Sequence, residues 1–169
     1  MANRKSHIAK QKNSIMIITR FRSGITIVEI VVWITLFTAI AGIGIIAFNP
    51  AGQLAKSRNT QRELHLQAVM NSIRQNIADA SGGSFSCASG AIPTSTKIMM
   101  SAAGGYNIAP CLVPTYLPAM PYDPSSSTAQ YTSVSDYNAG YSIVRNATSG
   151  EITVAAPSAE LSKTISITR

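Results

Sequence analysis

Two hydrophobic patterns follow one another along the first half of the chain. From Ile25 to Phe48 the positions are apolar almost without interruption, and Glu29 is the only charge in those 24 residues. About 20 apolar residues suffice for a helix to cross a bilayer, so residues 25–48 predict a transmembrane helix. Over 49–80 the pattern becomes amphipathic. Leu66, Val69, Met70, Ile73 and Ile77 recur at i, i+3, i+4, i+7 and i+11, a stripe at helical spacing that packs on a core. Leu54 lies further up this helix, and Arg62, Glu63, Arg74, Gln75 and Asp79 populate its other faces. Pro50 stands between the two runs. It either kinks one long helix by removing a backbone hydrogen bond or opens a second helix at its favoured first-turn position. A continuous helix over 25–80 would be about 84 Å long, and only a membrane or a bundle of sister helices would bury its first half. Ser81-Gly82-Gly83-Ser84 ends the helical pattern.

The remainder, 81–169, reads as a globular head. Residues 85–135 are rich in Ser, Thr, Ala, Gly and Pro and predict a long irregular loop region. Residues 137–169 alternate in the manner of strands: Tyr137 to Arg145, a turn at Asn146–Gly150, then Glu151 to Ala155 form a hairpin. Pro157 breaks it, and 164–168 alternate again as a third strand. The predicted fold class is α+β, with a long N-terminal helix, half membrane-embedded and half amphipathic, packed on a small antiparallel sheet.

Charge sharpens this division. The net charge is +7, but of the 14 basic residues six lie in 1–24, which hold no acid, leaving eight against seven acids in the rest. The high isoelectric point therefore belongs to a basic leader, 1–24, and gives no support to nucleic-acid binding. Lys56, Arg58 and Arg62 follow the apolar run, fewer than the six cations before it, which places the N-terminus in the cytoplasm. Cys87 and Cys111 both lie beyond the run. In an oxidising space two such thiols favour a disulfide, with two buried free thiols as the alternative. An ordinary secretory signal cut after Ala39-Ile40-Ala41 competes with the membrane-helix reading, as does an uncleaved single-pass anchor. Against the secretory cut, the apolar run continues past Ala41 and Glu29 would interrupt the signal's core.

No catalytic constellation is visible, so the chain is expected not to be an enzyme and to need no cofactor. His7 and His65 stand alone, Ser125-Ser126-Ser127 lacks a partnered base, and no cysteine or histidine spacing suits zinc. Asn146-Ala147-Thr148 matches the N-glycosylation pattern and is read as coincidence.

Gly24, then an apolar residue, then Glu29 as the fifth residue after the glycine, then an unbroken apolar helix, resembles the class III signal of type IV prepilins and pseudopilins. The resemblance implies that a prepilin peptidase cuts between Gly24 and Ile25 and methylates the Ile25 amine. It implies that Glu29 compensates the amine of a neighbouring subunit in the filament core. The residue after the glycine is usually Phe in that family and is Ile25 here. The implied product is a structural pilus or pseudopilus subunit, a homo-polymer or one of several mixed pilus subunits, which meets a pilus assembly platform. It would span the inner membrane once before assembly and lie in a surface filament or the periplasm afterwards. The alternative is a monomeric membrane-anchored or secreted binding module. Asn49-Pro50 through Gln61-Arg62 resembles the linker-helix region of some bacterial pilins, and Tyr116-Leu117 through Asp123-Pro124 resembles a passage before the sheet of major pseudopilins. In some such relatives a nearby loop binds calcium. Here Asp123 and Asp136, the only acids between Asp79 and Glu151, are the candidates, and calcium usually takes several carboxylates.

Overall fold

The computed structural model describes residues 24–169, without the side chains of 43–48. Residues 1–23 of the expected leader lie outside the described residues. The chain forms two units, one up to Gly44 and the other from Ile45 onward.

The first unit holds most of α1, Ile27–Phe48. Thr26 caps it: the Thr26 carbonyl accepts from the Ile30 N–H and its Oγ1 accepts from the Glu29 N–H, 3.2 Å each. Every described side chain of α1 is exposed, among them Ile27, Trp33 and Phe37. Among the described residues no helix is long and apolar enough to cross a membrane.

Helix α2, Pro50–Asp79, opens the second unit. Pro50 does not kink a continuous helix. It is the first residue of α2, and Asn49 before it adopts a left-handed φ of 40° and accepts the Gly52 N–H on its side-chain oxygen. Proline's missing N–H costs nothing at that position, because no intrahelical acceptor exists for it there.

The sheet has five strands: β1 Lys97–Met100, β2 Gln130–Ser133, β3 Asp136–Arg145, β4 Ile152–Ala155 and β5 Ser166–Thr168. All the strand pairings are antiparallel. The order is β1-β3-β4-β5, with β2 also paired to β3. The 10-residue β3 is the spine: Asn138 pairs with both Met100 and Gln130, and Ile143 with both Lys97 and Val154. The expected hairpin and third strand are present. The stretch 85–135, expected to be irregular, contains β1, β2 and the short helix α3, Ala109–Leu112. Four-residue elements are too short to display a hydrophobic period, which is why composition dominated the reading.

The core lies between α2 and the sheet. Leu66, Val69, Met70 and Ile73 are buried, as the stripe requires, and meet Tyr137, Ala139, Tyr141 and Ile143 of β3 and Val154 of β4 in one cluster. Each large apolar side chain buried there stabilises the head by about 1.5–3 kcal/mol. Leu54 stays exposed.

Candidate functional site

Three places gather the chemistry of the chain. The first is the start of α1. Gly24, Ile25 and Thr26 precede the helix in non-helical conformation, and Ile25 is 72% exposed. Thr26 and Glu29 stand in the spacing of a capping box, a signal legible in the sequence that the apolar pattern overshadowed. Glu29 lies in the first turn of α1, where the helix dipole favours a carboxylate.

The second place is a buried ion cluster on the N-terminal half of α2. Arg62, assigned by periodicity to a polar face, is wholly buried, and its correction has a physical reason: all five of its N–H donors are met. Nε donates to Asp123 Oδ2 at 2.7 Å and Nη2 to Asp123 Oδ1 at 3.0 Å, a bidentate pair with both side chains at 0% exposure. Nη1 donates to Asn59 Oδ1 at 2.8 Å and to Glu160 Oε2 at 2.9 Å, and Nη2 also to Ser125 Oγ at 2.6 Å. Arg58 makes its own fork to Glu160, at 2.7 and 2.6 Å. Asn59 holds the Glu160 backbone from both sides, donating to its carbonyl at 2.8 Å and accepting its N–H at 3.0 Å.

Asp123 also caps its own turn, its Oδ1 accepting the N–H groups of Ser125 and Ser126. Burial alone would push the Asp123 carboxyl up, but the Arg62 hydrogen bonds, with those two N–H groups, outweigh it and hold the carboxyl below its usual range. Hydrogen bonds from Arg58 and then Arg62 hold Glu160 down at about 2. Gly140 lets this turn close: at φ 70° it leaves space where a Cβ would come within 3.1 Å of the Asp123 Cβ.

Asp123 therefore faces an arginine. Asp136 is exposed at the start of β3, and among the described residues no group of three His, Cys, Asp or Glu side chains could hold a metal ion. His65 sits next to the cluster on α2, with Nδ1 2.8 Å from the Tyr141 hydroxyl. Burial pushes its pKa down, against the backbone of Tyr122 and the charge of Asp123.

The third place is the disulfide. Cys87 and Cys111 are bonded, with Cα atoms 5.3 Å apart. Asn76, buried near the end of α2, ties both cysteine segments to the helix: Nδ2 donates to the Ser86 and Cys111 carbonyls at 3.1 and 3.3 Å, and Oδ1 accepts the Ser86 N–H at 2.9 Å. Asn146, the acceptor position of the glycosylation pattern, accepts the Thr148 and Ser149 N–H groups in an exposed turn.

No family model, curated protein or solved structure matches the chain.

Proposed function

We propose that this chain is a prepilin-like structural subunit of a type IV pilus or a type II secretion-like pseudopilus. In this reading prepilin peptidase cuts after Gly24 and methylates Ile25, and the chain polymerises through α1. The observation that carries the reading is the exposure of every described side chain of α1, an almost purely apolar helix with Glu29 as its only charge, directly after the Gly24–Ile25 bond. Such a surface is stable only in lipid or against sister helices. In the sequence the apolar run 25–48 is of membrane length, and the excess of cations before it over those after it supports an inner-membrane stay with the N-terminus in the cytoplasm before assembly. The disulfide-bonded head fits an oxidising space outside that membrane.

The mechanism is an exchange of partners. Hydrolysis of the Gly24–Ile25 peptide bond frees an amine one turn from Glu29. In the low-dielectric interior of a helix bundle an unpaired carboxylate is costly, so Glu29 selects the register in which a neighbour's amine reaches it.

Co-expression with a prepilin peptidase, followed by intact mass and N-terminal sequencing, tests the processing step. The expected product starts at Ile25 and carries one added methyl group. A start after Ala41 would make the chain a secreted module, and an intact Met1 end would leave a plain anchor. Replacing Glu29 by Ala should leave membrane insertion intact and remove the protein from sheared filaments. Wild-type incorporation of that variant would refute the assigned role.

A further inference from the structure

The β3–β4 hairpin turns through Asn146-Ala147-Thr148-Ser149-Gly150, and all of these residues are exposed. Backbone bonds close the turn. The Asn146 N–H donates to the Glu151 carbonyl at 2.8 Å, and the Gly150 N–H to the Asn146 carbonyl at 2.9 Å. Asn146 shapes it further, its Oδ1 accepting the Thr148 N–H at 2.8 Å and the Ser149 N–H at 3.1 Å. Asparagine suits that task, because its side chain reaches its own backbone two residues on. Two groups are left over. Among the described residues neither Asn146 Nδ2 nor Thr148 Oγ1 has a hydrogen-bond partner, whereas Ser149 Oγ beside them donates to Glu151 at 2.8 Å. The turn uses only the N–H of residue 148, which any residue except proline supplies. The threonine hydroxyl is not used by the fold.

Asn146-Ala147-Thr148 is the only Asn-X-Ser/Thr tripeptide of the chain. That pattern is the acceptor of N-linked glycans when it lies on a surface loop of an exported protein. By itself it does not distinguish an acceptor from a coincidence. The fold adds conditions that a coincidence does not require: the tripeptide is exposed, its amide nitrogen is free and its hydroxyl is free. The Cys87–Cys111 disulfide adds a compartment, since it fits the oxidising space outside the cytoplasm.

We infer that Asn146 is a glycan acceptor, whose Nδ2 takes an oligosaccharide from a polyprenyl-diphosphate-linked donor. The N–H groups that donate to Oδ1 draw electron density toward the oxygen and make the Nδ2 protons more acidic. A base of the oligosaccharyltransferase takes one Nδ2 proton, the nitrogen attacks the anomeric carbon, and the bond from that carbon to the diphosphate oxygen breaks. One C–N bond replaces one C–O bond, polyprenyl diphosphate leaves, and nothing is oxidised or reduced. The Thr148 hydroxyl, presented on the same turn, is the group the transferase recognises. The inference rests on export of the head, which the subunit reading shares with the secreted-module alternative.

The test is the intact mass and peptide map of the full chain isolated from its own cells, beside Asn146→Asp, Thr148→Val and Thr148→Ser. The wild-type chain should carry added sugar mass on the peptide that contains Asn146. Asn146→Asp and Thr148→Val should each abolish it, and Thr148→Ser should keep it. The first two variants preserve the turn, because a carboxylate oxygen still accepts both N–H groups and residue 148 still donates. Their melting temperatures should therefore match that of unmodified wild-type chain made in cells without an oligosaccharyltransferase. A bare wild-type Asn146 peptide, or sugar mass that survives Thr148→Val, overturns the inference. Sedimentation of sheared filaments from the same cells reads the subunit proposal separately. A glycosylated chain that never sediments refutes the subunit reading and keeps the acceptor, and filaments of bare chain do the reverse.

Discussion

Arg62 is the residue on which the head turns. Its guanidinium is out of water with every donor met, which is the condition under which a buried charge is tolerated. Removing one partner strands the other. Arg62→Ala is expected to cost about 3–5 kcal/mol in urea unfolding. Asp123→Ala should be comparably destabilising, because it strands Arg62 and also frees the Ser125 and Ser126 N–H groups. The double variant should cost less than the two singles combined, since the pair shares one contact. Strictly additive losses would mean that the two residues do not act together. Periodicity could not find this pair. Arg62 carries no apolar signal, and its partner lies 61 positions away. The one hint was Asp123-Pro124 in a proline-rich passage, which predicted a turn but not its docking.

At the scale of elements, the stretch between α2 and β3 depends on tethers. The cysteines are 24 positions apart, and closing such a loop contributes about 3.5 kcal/mol in the chain-entropy account. Reduction, or Cys87→Ser with Cys111→Ser, should lower the unfolding free energy by up to that amount. The far-ultraviolet spectrum should change little, because Asn76 and the core contacts of Ile108 and Leu112 remain. Collapse of the whole spectrum on reduction would show that the disulfide specifies the fold rather than trimming its unfolded ensemble. The long elements were legible: α2 from its stripe and the β3–β4 hairpin from alternation around a glycine-containing turn. β1, β2 and α3 were not, because pairing with distant segments stabilises them more than their own pattern does.

For the molecule as a whole, the charge cluster sets the acid response. Glu160 and Asp123 have folded-state pKa values below their unfolded ones. Their stabilisation is complete above about pH 5 and is lost as pH falls through the unfolded range toward 2. His65 is also lowered, so the unfolded chain takes up its proton first, and stability begins to fall just below pH 6.5. Thermal melts of the full chain in detergent should therefore decline in two stages with acid. His65→Gln should flatten the upper stage alone. A single stage in the wild-type chain would mean that His65 gains its proton without cost.

The sequence by itself determined what depends on neighbours within a few turns: the apolar run and its lone glutamate, the basic segment before it, the α2 stripe and the hairpin. These follow from local periodicity, which burial on one face imposes directly on the order of residues. Only the tertiary structure decided what depends on distant partners. It buried Arg62, engaged Asp123 with an arginine and held the turn at Leu161 against α2. Each of these is an agreement between groups far apart in the chain, and a one-dimensional pattern carries no record of which polar group will find which.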